Sequence, residues 1–273
     1  QTSRTLEYAF DDFAVAQMAK LLADSLEYQK NKGNLLSLDK KMLLADYKQL
    51  MRRSENWRHV INPKTGWADG RHQNRKWENN LDLVHRKSYI TEGATCHYTW
   101  YVPQNVEGLF QVINNSGQNV ITRLDRMFDE GLYWHGNEPC HQIAYLYNKA
   151  GAPWKTQQRI HHILNTEYND TPGGLSGNDD AGQMSAWYMF SAIGFYPVCP
   201  ATPYYYIGTP SFDKVTFNLE NGRKFEIVAE GVDDENFYIQ QVDLNGKSGY
   251  YLSHDDLLKG GKLSFRMGNT PKY

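Results

Sequence analysis

Cysteine is scarce in this chain of 273 residues: there are three, Cys96, Cys140 and Cys199, widely spaced. They form no CxxC pair and no zinc pattern. Their odd number allows at most one intramolecular disulfide, so a buried free thiol is the expected state of each. Charge of one sign is also lacking. The 29 Lys and Arg nearly balance the 31 Asp and Glu, and no long run of either occurs. Without a basic patch, nucleic acid and membrane surfaces are not expected partners. No window approaches the roughly 18 apolar residues of a bilayer-spanning helix. The opening QTSRTLEYAF has neither a basic head nor an apolar stretch, so no signal peptide is read there. It already carries a helical pattern, and a longer parent protein is expected. Internal repeats, low-complexity runs and EF-hand spacing are absent as well.

Aromatic residues are plentiful: 19 Tyr, 7 Trp and 11 Phe make 14% of the chain. Flat rings pack against the CH faces of a pyranose while polar tips pair with its hydroxyls, as in sugar sites. Core packing of helical and β domains explains most individual rings equally well.

The periodicity divides the chain at about residue 200, giving residues 1–200 as a helical part and 201–273 as a β-strand segment. In RTLEYAFDDFAVAQMAKLLADS, Leu6, Phe10, Phe13, Met18 and Leu21 recur at helical spacing and predict one buried face. A second helix is predicted after Ser37 through DKKMLLADYKQLMRRSENW, with Asp39 in its first turn and Arg52 and Arg53 in its last. Further helices are predicted over 105–115, 117–129, 139–149, 153–165 and 181–193. The polar segment from Asn62 to Tyr89 fits neither period and reads as a long functional loop. After Pro200 the pattern becomes that of strands, five or six in about 70 residues, with hairpin turns expected at Asn221-Gly222 and Asn245-Gly246. So small a block with exposed edges reads as part of a larger sandwich.

Three polar clusters fall at the ends of predicted helices. The first is Tyr89-Ile90-Thr91-Glu92-Gly93, followed by HYTWYVP; Glu92 lies in a loop among Tyr89, His97, Tyr98 and Trp100. A carboxyl in partly dry aromatic surroundings has a raised pKa, as a general acid needs, although a solvated surface Glu explains the position too. The second cluster is GNEPCHQ, residues 136–142. Here Glu138 precedes Pro139 and suits the start of a helix, a structural role in itself. The third is GLSGNDDAGQM, residues 174–184, in which Asp179 and Asp180 precede an apolar helix. One of them suffices as a helix cap, and the other is available to hold a water or a cation. Carboxylates from separate loops around an aromatic pocket fit glycoside hydrolysis, one acid protonating the leaving oxygen and one base activating water.

These segments resemble a known family. GNDDAGQMSAWYMFSAIGFYPV followed by YYYIGTPSFDKVTF is similar to the signature of glycoside hydrolase family 92. So are GNEPCHQIAYLYNKAGAPWKTQ, the TEG block with YTWYVPQNVEGL, and the opening RTLEYAFDDFAVAQMA. The likeness runs from about residue 3 to LSFRMGNTP, essentially the whole chain. It implies a mainly α fold with a β portion: part of an (α/α)6 toroid catalytic domain, then strands that belong to a β-sandwich. The implied activity is exo-acting, inverting hydrolysis of terminal α-linked mannose from glycans with calcium (Ca2+) as cofactor, in a secreted or periplasmic enzyme.

Residue by residue, the resemblance makes Glu92 the general acid and Asp180 the general base, with Asn178 supporting the base or the metal shell. Asn137, Glu138 and Asp179 are the implied substrate-binding residues. Asn137, Glu138, Gln142 and Asp180 are the implied metal ligands. Where family members usually read TEGNAWQYTW, this chain reads TEGATCHYTW, placing Cys96 and His97 beside the acid, and His97 reads best as a hydrogen-bonded loop residue. Asn137 stands where α1,2-specific members carry His, which leans away from that linkage. Family enzymes need well over twice this length, so an N-terminal half in the same or a separate chain is an expected partner. A non-catalytic carbohydrate-binding fragment, and a toroid hydrolase of other glycosides, are the competing expectations.

Overall fold

A computed structural model describes residues 1–31, 39–78, 80–246 and 249–273. The chain divides into two compact units, residues 1–118 with 200–202, and residues 119–199 with 203–273.

In the first unit an alanine stripe decides how two helices pair. Helix α1 (Thr2–Asn31) buries Leu6, Ala9, Ala16, Ala19 and Ala23, and the last two pack in one cluster with Leu43 of α2 (Lys40–Arg53). Small residues at a helix interface let the partner approach closely. Asp12, buried on that side, pairs with Arg53 at 3.0 Å. The face predicted from the larger side chains is therefore corrected. Leu6 is buried and Phe10 and Phe13 are half-buried, but Met18 and Leu21 are 56% and 62% exposed in this chain. Asp39 caps α2 by accepting the Lys41 N–H at 2.8 Å, with Arg52 and Arg53 in the last turn as expected. Ser37, after which that helix was expected to begin, lies outside the described residues.

A 3-10 turn, Ser54–His59, follows and buries Trp57 completely. Residues 62–89 then run without helix or strand, held by isolated bridges Ile61–Ala68 and Arg71–Trp77; Asn79 within them lies outside the described residues. Asp69 is buried in this loop, where it accepts the Gly70 N–H at 2.8 Å and the Asn62 amide at 3.3 Å. Burial raises its pKa above the usual carboxylate value. The single-turn α3 (Thr95–Tyr98) and α4 (Val106–Asn115), capped by Asn105 on the Gly108 N–H at 2.9 Å, complete the unit.

The second unit combines helices with strands. Helix α5 (Val120–Asp129) is capped by Asn119 on the Thr122 N–H at 3.0 Å. The helix predicted over 139–149 is replaced by 3-10 turns at Glu138–Cys140 and Ile143–Tyr145, then the short α6 (Leu146–Lys149). Residues 139–147 are all buried, so they do not divide into an inner and an outer helical face. The Tyr145 and Tyr147 hydroxyls in addition donate to separate acceptors, the Ser191 hydroxyl at 2.8 Å and the Asp125 carboxylate at 2.9 Å. Helices α7 (Pro153–Thr166) and α8 (Gln183–Ile193) form as predicted, α8 closing on Gly194 at φ 111°.

Strands β1 (Phe195–Tyr196), β2 (Tyr204–Ile207) and β6 (Tyr251–Ser253) make one sheet. Strands β3 (Lys214–Asn218), β4 (Lys224–Glu230), β7 (Gly261–Gly268) and β5 (Tyr238–Leu244) make a second, in that order. Strand β4 alternates as a half-buried strand should, with Phe225, Ile227 and Ala229 inward. One hydrophobic core takes Phe195, Ile207 and Leu252 from the first sheet and Phe225, Leu263 and Phe265 from the second. Asn221-Gly222 joins β3 to β4 as the predicted hairpin. Asn245-Gly246 does not join a hairpin. Strand β5 pairs with β7, β6 pairs with β2, and Asn245 itself is held by the Lys262 N–H at 2.8 Å; Lys247 and Ser248 lie outside the described residues. A helix not predicted, α9 (His254–Lys259), starts at Ser253, which accepts the Asp256 N–H at 3.0 Å. Among the described residues no helix is long and apolar enough to cross a membrane.

Replacing Phe225, fully buried in this shared core, by Ala is expected to cost about 3–5 kcal/mol in urea unfolding of the second unit. Phe212→Ala, at a side chain 46% exposed, is expected to change it by less than about 0.5 kcal/mol.

Candidate active site

Two glycines bring the second and third clusters together. A Cβ on Gly177 would lie 2.6 Å from both the Cα and the carbonyl oxygen of Gly136. A Cβ on Gly136 would lie 2.7 Å from the Ser176 carbonyl oxygen. The two backbones touch where neither residue carries a side chain, so Asn137 and Glu138 start one residue beyond the contact on one loop, and Asn178 on the other. Asn137 is buried and Glu138 half-buried; Asn137 precedes the 3-10 turn that Glu138 and Pro139 open, as the proline suggested. Gln142, buried too, donates its amide to the Pro139 carbonyl at 2.9 Å.

On the other loop the adjacent aspartates divide their tasks. Asp179 accepts both the backbone N–H and the hydroxyl of Ser185, at 3.0 and 2.9 Å, and so caps the start of α8. Asp180 is exposed, and begins a run of three left-handed residues: Asp180 at φ 47°, Ala181 at 57° and Gly182 at 96°. Glu92 at φ 52° belongs to the first unit and is also left-handed. The described residues include five non-glycine residues of this kind, and both candidate catalytic carboxylates are among them. Side chains held in such backbone strain concentrate at functional sites.

Beneath these loops lies a buried aromatic floor that sequence reasoning missed. His135 is 1% exposed; Tyr133 donates to its Nδ1 at 2.7 Å, its Nε2 donates to Tyr168 at 2.6 Å, and Tyr168 donates onward to the Met184 carbonyl at 3.0 Å. His141 is equally buried, its Nε2 donating to the His135 carbonyl at 3.0 Å and its own carbonyl accepting the Trp187 indole at 2.9 Å. Burial lowers His135 to a pKa of about 3, helped by neighbouring His141. Burial likewise lowers His141 to about 4, against the opposing pull of the Asp180 carboxylate. Both rings are neutral at physiological pH. The signal available in the sequence was the pair of histidines flanking GNEPC.

Glu92 is exposed on this chain, so the partly dry surroundings expected of it are not formed by the first unit. Its supporting backbone is well held, since the Thr91 N–H donates to the buried Ser3 hydroxyl at 3.0 Å. His97 accepts the Ala94 N–H at 3.2 Å, hydrogen-bonded as expected, but it does so from within α3 rather than from a loop. All three cysteines are free and buried, also as expected, and burial pushes the Cys96 thiol up to about 11, which leaves it a poor nucleophile. Among the described residues no three His, Cys, Asp or Glu side chains gather to hold a metal. Asn137, Glu138, Gln142 and Asp180 instead offer amide and carboxylate oxygens, a donor set suited to a hard cation and unsuited to zinc.

A model of the glycosyl hydrolase family 92 catalytic domain matches residues 1–269. The chain belongs to glycosyl hydrolase family 92. Among solved family 92 structures it is similar to an α-mannosidase from Bacteroides thetaiotaomicron in complex with mannoimidazole, 37% identical with a TM-score of 0.87 over 100% of this chain and 37% of that one. An inverting mannosidase from the same organism is 32% identical, with a TM-score of 0.84 over 99% of this chain and 38% of that one. A fungal protein described as an uncharacterized secreted glycosidase, from Arthroderma benhamiae, is 26% identical over 97% of this chain and 35% of its own length. This family 92 chain thus spans a little over a third of the length of the relatives it matches.

Gly177→Ala drives a methyl group into the Gly136 backbone and is expected to destabilise the second unit by about 1–3 kcal/mol in urea unfolding. Gly173→Ala, where a Cβ meets nothing within 4 Å, is the silent control. A pH dependence follows from the two imidazoles. The unfolded chain takes up a proton at each near pH 6.5, the folded chain not until about 3 and 4. The associated stability is present above pH 6.5 and falls as pH drops, by about 1.4 kcal/mol per pH unit per ring. Urea midpoints between pH 7 and 5 measure this slope, which His135→Gln is expected to flatten.

Proposed function

We propose that the full-length protein is an exo-acting α-mannosidase, which removes terminal α-linked mannose from glycans by inversion with the help of calcium. The contact between Gly136 and Gly177 carries the reading, because it sets the residues that follow each glycine side by side in a family 92 chain. The names of the bacterial relatives, an α-mannosidase bound to mannoimidazole and an inverting mannosidase, support the substrate and the stereochemistry. A secreted or periplasmic location is supported by the description of the fungal relative. The paired α1 and α2 are read as part of an (α/α)6 toroid, and the two sheets sharing one core as part of a β-sandwich. The remaining groups around the sugar are assigned to the part of the relatives' length that this chain does not span.

In this reading Asp180 takes a proton from water as the water oxygen bonds to the anomeric carbon. Glu92 gives its proton to the glycosidic oxygen as the bond to the leaving group breaks. Inversion requires about 6.5–9.5 Å between the two carboxyls, leaving room for that water. Asn178, adjacent to the aspartate pair, supports the base. Asn137 and Glu138 meet the hydroxyls of the terminal mannose. Asp179, with one oxygen committed to the cap of α8, contributes by holding the Asp180 turn still. Asn137, Glu138, Gln142 and Asp180 would hold calcium, which when bound would supply a Lewis acid for the sugar.

Proton NMR of mannobiose cleavage by the full-length protein is expected to show β-mannose released first, with turnover abolished by a chelator. Asp180→Asn is expected to lower kcat by about 10²–10⁴-fold. Initial release of α-mannose, or full turnover by Asp180→Asn, overturns the mechanism. Mannoside binding without any product favours a carbohydrate-binding role instead.

A further inference from the structure

We propose that Gln183 and His141 are positioning residues for this reaction, joined by a hydrogen bond that ties the turn bearing Asp180 to the loop bearing Asn137, Glu138 and Gln142. The proposal rests on the reading of Asp180 as the base. Gln183 follows the left-handed run directly, and its backbone N–H returns to the Asp180 carbonyl at 3.3 Å. Its side chain leaves the turn altogether. The amide nitrogen donates to His141 Nδ1 at 3.2 Å and to the Tyr196 hydroxyl at 3.3 Å, using both of its hydrogens. That leaves no choice of amide orientation. With Nε2 of His141 donating to the His135 carbonyl, Nδ1 is the acceptor and requires a donor facing it.

His141 is a firm anchor. Its ring is held by the His135 carbonyl and its own carbonyl by the Trp187 indole, both residues fully buried or nearly so, and it directly precedes Gln142. The amide also joins two residues that each feel a different carboxylate of the site. The Asp180 carboxylate acts on His141, and the Glu138 carboxylate acts on Tyr196. The turn needs such a tie because Asp180, Ala181 and Gly182 are in conformations that no regular helix supports. Asp179 fastens the turn to its own helix through Ser185, whereas Gln183 fastens it to the other loop.

The test uses the full-length protein. Gln183→Met keeps the length of the side chain and removes the donor, and Gln183→Glu keeps its shape while presenting an acceptor to His141. Both are expected to lower kcat by about 10–100-fold with KM little changed, and to weaken calcium binding in calorimetry by about tenfold, with the thermal midpoint lowered by only about 2–8 °C. His141→Leu is expected to act alike, and the double variant Gln183→Met/His141→Leu to be no slower than the slower single one, since both remove the same bond. His141→Gln, which retains an acceptor and a donor, is expected to keep most of the activity. Multiplying losses in the double variant, or loss of thermal stability with kcat and calcium affinity unchanged, overturns the proposal. Asp180→Asn run in parallel separates the two readings. If it is inactive while both Gln183 variants turn over normally, the positioning role alone is wrong. If it is fully active, the base assignment fails and the positioning role fails with it.

Discussion

The close approach of Gly136 and Gly177 is the constraint on which the candidate site depends. Two loops separated by about forty residues of helix and turn meet there, backbone against backbone, at a distance no Cβ would permit. A contact of that kind leaves little freedom of placement: Asn137 and Glu138 on one side, and Asn178 on the other, inherit their positions from it. Buried His135, His141 and Trp187, with half-buried Tyr168, then hold the two loops from one side. Each polar atom named there has a partner, as burial demands.

The same region carries backbone strain that its surroundings must maintain. Left-handed conformations at Asp180 and Ala181 cost on the order of 1–2 kcal/mol each for residues with a Cβ. The turn persists because α8 follows it at once, capped by Asp179 and with Met184 and Trp187 fully buried. Stability spent in the helix and its aromatic contacts is what keeps Asp180 exposed and in place. In the first unit Glu92 stands in a comparable relation to its supports, left-handed itself and preceded by Thr91 on the buried Ser3.

Much of the local structure was legible in the residues. The helices expected from residues 105 and 117 are α4 and α5, which begin one and three residues later because Asn105 and Asn119 cap them, and Asp39 caps α2. The Asn221-Gly222 hairpin and the alternation in β4 were equally plain. Periodicity failed where burial was not one-sided. Residues 139–147 are enclosed on every side, and their apolar run looked helical although the chain follows 3-10 turns. On α1 the larger side chains drew attention away from the alanines that meet α2. At Asn245-Gly246 the turn residues were read correctly, but a turn does not name the partner of the strand that enters it.

The sequence by itself determined most of the helices, the change from helix to strand near residue 200 and, through long ordered blocks, the family. Those are properties of short stretches, set by side-chain type and spacing. The tertiary structure alone decided which loop meets which, that Asp179 caps while Asp180 stays exposed, and that two histidines are buried as neutral rings. No local pattern encodes these outcomes, because each depends on atoms distant in the chain competing for the same space and the same hydrogen bonds.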